Sequence, residues 1–141
     1  MTSACVMGNY LRYNSAIGTT MSELVILMIA REWSQDYEWA VHAPLAAKQG
    51  ISTEIIDAIA AGRRPTKMNE DEAIVFDFVD ELNRNHRVSD ESYGRAVKRF
   101  GEKGVVDMTG IAGYYTFLSF EMNAARTPAP ANGSKLSRFP D

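Results

Sequence analysis

An uninterrupted apolar run from Leu24 to Ala30 constrains the fold of this chain more than any other feature. The run is too short to cross a bilayer, so we expect it to lie in a protein interior. An apolar segment without a polar face is typical of a helix that is buried on every side. Helical periodicity dominates the rest of the chain, and no segment alternates as a strand would. The sequence therefore predicts an all-α fold.

The length and the distribution of prolines predict one domain and a tail. The chain has 141 residues, which is the size of a single domain with its own core. We expect one helical domain over residues 1–125. Three of the five prolines lie in residues 126–141, and for this reason we predict a disordered or extended C-terminal tail there.

Charge and cysteine content exclude several classes of protein. The net charge is −3 and no cluster of basic residues occurs, so we expect no nucleic-acid partner. Neither a spanning helix nor a signal peptide is apparent, so we expect no membrane partner and a cytoplasmic location. Cys5 is the only cysteine. A disulfide or a redox dithiol within one chain is therefore impossible, and we expect Cys5 to be inert.

The residues best suited to chemistry are Glu38 and His42, which are four positions apart. A helix would place them on one face, where a carboxylate and an imidazole can pass a proton near neutral pH. Glu23 is the only acid between Met21 and Ala30 and could be a third proton-handling group. Two structural alternatives stay open: Glu38 and His42 could be a surface pair, and Glu23 could close a capping box on Thr20.

Three further residues are candidates for binding a substrate. Arg12 and Arg31 could each hold a carboxylate in bidentate fashion, and Trp39 lies between the members of the Glu38–His42 pair. For metal binding the sequence offers no His-Glu-x-x-His or Cys-x-x-Cys pattern, and His86 has the flanks of an exposed loop residue. We therefore expect neither a metal nor another cofactor.

Three stretches in order resemble the carboxymuconolactone decarboxylase family, which includes the alkylhydroperoxidase D-like (AhpD-like) proteins. They are the segment from Glu23 to Glu32, the segment from Tyr37 to His42, and the segment from Ala46 to Gly50. The resemblance covers about residues 4–125. It implies an AhpD-like helical bundle that forms a homo-oligomer, either a trimer or a hexamer, with active sites near the subunit contacts.

Within that family the pattern resembles the decarboxylase branch more than the redox branch. The redox branch carries Cys-x-x-Cys between its glutamate and its histidine, and the matching positions here are Gln35 and Glu38. The resemblance implies a cofactor-free lyase or isomerase acting on a small carboxylated lactone or related ring. In that reading His42 donates a proton, Glu38 orients it or shuttles the proton, Glu23 is a buried relay, and Arg12 or Arg31 holds a carboxylate.

Two other functions remain open from the sequence, besides a metal-dependent hydrolase, which the missing metal-binding patterns disfavour. One is the peroxidase or disulfide-reductase activity of the same family, which is also called peroxiredoxin activity. The missing Cys-x-x-Cys motif speaks against it. The other is a helical oligomer that binds a small molecule without catalysis.

Overall fold

The computed structural model describes residues 2–138, and within that range it contains six α-helices and no strand. This confirms the all-α prediction. The helices are α1 (Thr2–Tyr13), α2 (Gly18–Glu32), α3 (Asp36–Lys48), α4 (Thr53–Ala60), α5 (Glu70–Asn85) and α6 (Asp90–Ala125).

Helix α2 is the centre of the fold, as its apolar sequence predicts. Every residue from 21 to 31 is buried, and the other five helices all pack against α2. The side chains of Leu24, Ile26 and Ile29 have no exposed surface. Burying one such side chain contributes about 1.5–3 kcal/mol relative to leaving it in water. Within residues 2–138, no helix is both long enough and apolar enough to span a membrane.

Three helix starts are capped by side chains. The Ser52 hydroxyl accepts a hydrogen bond from the backbone of Ile55 at the start of α4. Asn69 and Glu72 form a reciprocal capping box at the start of α5, and Ser89 caps α6. Each cap satisfies a backbone N–H that the first turn of a helix leaves without a partner. These caps fix where α4, α5 and α6 begin.

The predicted capping box at Thr20 and Glu23 is wrong. Helix α2 begins earlier, at Gly18, and its N-cap residue Ile17 makes no side-chain cap hydrogen bond. Thr20 therefore lies inside the helix, where its hydroxyl donates to the carbonyl oxygen of Gln49 at 3.2 Å. The carboxylate of Glu23 is consequently available for contacts outside its own helix.

Gly101 divides α6 into two helical halves. Its backbone has φ 73° and ψ 171°, which is not helical, while the residues on both sides continue as helix. Positive φ at this position suits glycine because it lacks a Cβ atom. The two halves of α6 thus meet directly at a kink. The second half carries Tyr114 and Tyr115 to the centre of the molecule.

The described part of the predicted tail, residues 126–138, lacks helix and strand but packs against the domain. Leu136 is buried, and its backbone N–H donates to Oδ1 of Asp36 at 2.9 Å. Arg31 donates to the carbonyl oxygen of Ser137 at 2.6 Å, and Arg138 donates to that of Ser34 at 2.8 Å. These hydrogen bonds hold the extended segment beside the start of α3. Residues 139–141 of the predicted tail, and Met1, lie outside the described residues.

Candidate active site

The turn between α2 and α3 brings the three predicted proton-handling residues together. Ser34 adopts positive φ (45°) at this turn, and Gln35 then caps α3. Glu23 projects from α2, whereas Glu38 and His42 project from α3, which packs against α2. Because Glu38 and His42 are one helical turn apart, both face the same side of α3. That side is turned towards Glu23.

His42 is held between the two carboxylates. Its Nδ1 atom lies 2.7 Å from Oε2 of Glu23, and its Nε2 atom lies 3.2 Å from Oε2 of Glu38. A neutral imidazole carries only one N–H, whereas the imidazolium carries two. Two ionised carboxylates can therefore both accept a hydrogen bond only from the imidazolium. We call these three residues the Glu23–His42–Glu38 relay.

The relay is almost completely removed from solvent. Glu23 is 8% exposed, Glu38 is 6% exposed and His42 is 2% exposed. Charged and polar groups are buried at such depth only when they are paired and hydrogen-bonded. The surface-pair alternative for Glu38 and His42 is therefore wrong, because a solvated helix face would leave both side chains accessible.

The surroundings of His42 favour its protonated form. Burial alone would lower the pKa of the imidazole, since it disfavours the charged state. The hydrogen bonds to Glu23 and Glu38, together with their negative charges, outweigh burial and raise the pKa above its ordinary value. The two carboxylates therefore favour the imidazolium over the neutral imidazole.

Two tyrosines of α6 cover the relay. The ring of Tyr115 meets the ring of His42 edge to face, with centroids 5.4 Å apart, and Tyr114 packs against Tyr115 at 5.5 Å. Burial raises the pKa of the Tyr115 phenol well above its ordinary value, so the phenol keeps its proton. Nothing in the sequence identifies Tyr115 as a neighbour of His42.

Gln35 is a second residue that sequence reasoning missed as part of the site. Its side-chain oxygen accepts hydrogen bonds from the backbone N–H groups of Tyr37 (2.7 Å) and Glu38 (3.1 Å). Its side-chain nitrogen donates to Asn123 of α6 at 3.1 Å. Gln35 therefore fixes the first turn of α3, and with it Glu38. The signal in the sequence is the family resemblance, which places Gln35 at a position where the redox branch has a cysteine.

Arg12 lies on α1, on the side of the tyrosines. Its positive charge lowers the pKa of Tyr115, against the larger effect of burial. Its Nε atom is buried and has no hydrogen-bond partner among the described residues. Its guanidinium carbon is 5.0 Å from the ring centroid of Tyr13. Arg12 is thus a cation close to the two tyrosines that cover the relay, and its Nε–H donor is shielded from water.

Arg31 and Trp39 are the other two predicted substrate-binding residues, and the structure places both outside the relay. Arg31 is two turns beyond Glu23 along α2, and its guanidinium donates to Ser34, to the carbonyl oxygen of Ala60 and to that of Ser137. Trp39 is buried and lines a hollow between α4 and the tail. Among the described residues, neither has a hydrogen bond or a ring contact with the relay. The structure brings together Glu23, Glu38 and His42, but not these two.

His86 and Cys5 form no hydrogen bond, ion pair or ring contact with the relay among the described residues. His86 is exposed and ends α5 in a left-handed conformation, and Cys5 is exposed on α1. Over residues 2–138, no group of three or more His, Cys, Asp or Glu side chains has an arrangement that could hold a metal ion.

The fold is that of AhpD-like proteins. Residues of this chain superimpose on a crystal structure from Agrobacterium tumefaciens with a TM-score of 0.80, covering 93% of this chain and 90% of the other at 15% sequence identity. That protein is described as being of unknown function, and its description proposes an antioxidant defence protein AhpD. No family model and no curated protein matches the sequence. The chain is accordingly an all-helical protein with an AhpD-like fold, and the relay is its candidate active site.

Proposed function

We propose that this chain belongs to the AhpD-like superfamily and is a cofactor-free lyase or isomerase that resembles carboxymuconolactone decarboxylase. Its substrate is a small carboxylated lactone or a related ring. The observation that supports this proposal is the buried imidazole between two carboxylates, with contacts of 2.7 and 3.2 Å. A desolvated acid–base chain of this kind can hold a proton and deliver it to carbon.

The proposed reaction needs one proton per turnover. Loss of CO2 breaks the bond between the ring carbon and its carboxylate, and the electron pair moves into the conjugated lactone carbonyl. The resulting dienolate takes a proton at carbon, and solvent replaces that proton on the relay. Both nitrogens of His42 are covered by carboxylates. His42 therefore gives its Nε2 proton through Glu38, while Glu23 stabilises the imidazolium on the Nδ1 side.

Arg12 is the cation that we assign to the substrate. A buried guanidinium nitrogen without a partner has already lost its hydration, so an arriving anion does not have to displace water from it. In the ground state Arg12 holds the carboxylate, and after CO2 has left it favours the negative charge on the dienolate oxygen. Arg31 is a weaker candidate for this role because of its contacts with the tail.

The burial of the relay requires a route of entry. Helix α1 closes the site through Gly8, where an added Cβ atom would lie 2.5 Å from the Tyr114 hydroxyl. We propose that substrate enters when α1 moves away from Tyr114. Apolar side chains exposed on α1 and α6, such as Val6, Val106 and Phe117, support a homo-oligomer in which a neighbouring subunit covers these helices. Light scattering should give three or six times the mass of one chain. We propose separately that the protein is cytoplasmic.

Release of CO2 from carboxymuconolactone and related carboxylated lactones tests the reaction. We expect turnover by the unmodified protein and a loss of about 10²- to 10⁴-fold in His42→Ala and Glu38→Gln. Glu91→Gln, which changes an exposed glutamate at the start of α6, is the control and should keep the parent rate. Folded variants of His42 and Glu38 with undiminished rates would refute the assignment.

A further inference from the structure

The indole nitrogen of Trp39 is a buried donor for which residues 2–138 provide no acceptor. Trp39 is only 4% exposed, and its Nε1–H forms no hydrogen bond within that range. A buried tryptophan usually finds a partner for this N–H group. The nitrogen is not sealed inside the protein either, so it reaches space that a small molecule can enter.

Trp39 lines a hollow between α3, α4 and the tail, which has a volume of about 460 Å³. Small-molecule sites commonly have volumes of about 300–1,000 Å³. Trp39 and Ala43 line the hollow from α3, and each directly follows a residue of the relay in the chain. They therefore point about 100° round the helix from Glu38 and His42. No residue of the relay lines the hollow, which is thus a separate site.

The tail forms a fixed wall of this hollow. At Gly133 an added Cβ atom would lie 2.5 Å from the Cβ atom of Ala40, so the tail lies directly on α3 there. Leu136, which lines the hollow, is buried, and its backbone N–H donates to Asp36 at 2.9 Å. A wall that is already in place spares a ligand the cost of ordering it.

The lining combines an apolar surface with one charge of each sign. Its larger apolar side chains are those of Trp39, Ile56 and Leu136, and its charged ones are Asp57 on α4 and Lys135 in the tail. The two charges are opposite, so the lining does not select for a net charge on a ligand. A ring that covers the apolar surface removes it from water. Trp39 donates a hydrogen bond and Asp57 accepts one, which suits a neutral group with both an acceptor and a donor.

We infer that this hollow binds a small neutral aromatic carboxamide, at a site distinct from the relay. The ring contacts Ile56 and Leu136, and the amide oxygen accepts the hydrogen bond from Nε1–H of Trp39. The amide nitrogen donates to the carboxylate of Asp57. This inference does not depend on the proposed reaction, because no residue of the relay takes part in it.

Titration of the full chain with benzamide, followed by NMR of the indole N–H groups, tests this inference. Trp33 does not line the hollow, and its indole signal is an internal reference. We expect the Trp39 signal to shift and saturate with a Kd of about 1–10 mM, the range for so small a ligand, while the Trp33 signal stays in place. Fluorobenzene, which lacks the amide, and acetamide, which lacks the ring, should each bind at least about threefold more weakly.

A pair of tryptophan variants locates the amide. Trp39→Phe keeps an aromatic ring but removes the donor, and it should weaken benzamide binding about three- to tenfold. Trp33→Phe makes the same change at an exposed position outside the hollow and should leave the Kd unchanged. The methyl signals of Ile56 and Leu136 report binding in both variants.

A pair of alanine variants locates the cavity without changing either tryptophan. Ala60→Leu fills the hollow from α4 and should abolish the shift of the Trp39 signal, whereas Ala124→Leu, at an exposed position on α6, should not affect it. The inference is overturned if benzamide leaves the Trp39 signal unmoved up to about 30 mM, or if fluorobenzene or acetamide binds as well as benzamide. It is also overturned if the two members of either pair of variants affect binding equally.

Discussion

The Nδ1 atom of His42 on α3 lies 2.7 Å from Oε2 of Glu23 on α2, although the two residues are nineteen positions apart in the chain. This contact joins the most buried helix of the fold to the helix that carries Glu38. It also explains why a glutamate can lie within the apolar core: the imidazolium neutralises its charge there. The chemistry and the stability of this region are therefore coupled.

Stability should depend on pH through His42. The pKa of His42 is raised in the folded protein, so protonation of His42 stabilises the fold. This stabilisation is complete below the pKa of the histidine in the unfolded chain, about 6.5. This contribution is lost as pH rises from about 6.5 through the folded pKa, by up to about 1.4 kcal/mol for each pH unit. Urea unfolding at a series of pH values should show the advantage of the unmodified protein over His42→Gln shrinking in that window.

The other histidine provides the control for this pH series. His86 is exposed, and a His86→Gln protein has lost an imidazole but keeps the relay. It should retain the fall in stability above pH 6.5. An advantage over His42→Gln that is constant or grows with rising pH would contradict a raised pKa at His42.

Substituting Gly8 should disturb the cover of the relay. In Gly8→Ala the new methyl group would lie 2.5 Å from the Tyr114 hydroxyl, and the Tyr114 ring is held against Tyr115. Displacing it should lower the free energy of unfolding by about 1 kcal/mol. Gly113→Ala, where nothing lies within 4 Å of the added atom, should instead raise it by about 0.5–1 kcal/mol. Equal effects of the two substitutions would argue against this close contact.

The tail should contribute measurably to the stability of the domain. Leu136 is buried and its backbone binds Asp36 at the start of α3. We expect Leu136→Ala to cost about 2 kcal/mol of unfolding free energy, while Lys135→Ala, at an exposed neighbour, should change it by less than about 0.5 kcal/mol. Chemical denaturation distinguishes a packed tail from one that is detached in solution, for which both substitutions would be neutral.

Thiol chemistry should be absent. By the family resemblance, Gln35 and Glu38 lie where the redox branch has cysteines, and Cys5 is a single exposed thiol on α1. A dithiol cycle needs a second thiol to resolve the oxidised one. Addition of hydrogen peroxide should therefore not accelerate consumption of dithiothreitol by the protein. Acceleration that disappears in Cys5→Ser would favour the peroxidase alternative over the lyase.

Sequence patterns predict a structural feature correctly where interactions between residues close in the chain determine it. The burial of α2 follows from its uniform apolarity, the start of α5 follows from Asn69 and Glu72, and the shared face of Glu38 and His42 follows from their spacing. The start of α2 was not predictable in the same way, because Thr20 and Glu23 match a capping box that the earlier beginning of the helix prevents. Local patterns cannot indicate that a competing start is more stable.

Contacts between distant segments could not be predicted from the sequence. The approach of Tyr115 to His42 depends on how α6 crosses α3, and the bond from Gln35 to Asn123 joins residues 88 positions apart. The position of Arg31 illustrates the same difficulty. Its place after an apolar run fits a substrate clamp and a structural contact equally well, and only the fold places its guanidinium beside the carbonyl oxygen of Ser137.

The apparent pKa of His42, measured by NMR titration of its ring, tests most directly whether the three residues share a proton. We predict a value above 6.5 in the unmodified protein and a lower value in both Glu23→Gln and Glu38→Gln, because each variant removes one negative charge from the imidazolium. A value at or below 6.5 that neither substitution changes would contradict the Glu23–His42–Glu38 relay and the acid–base function built on it.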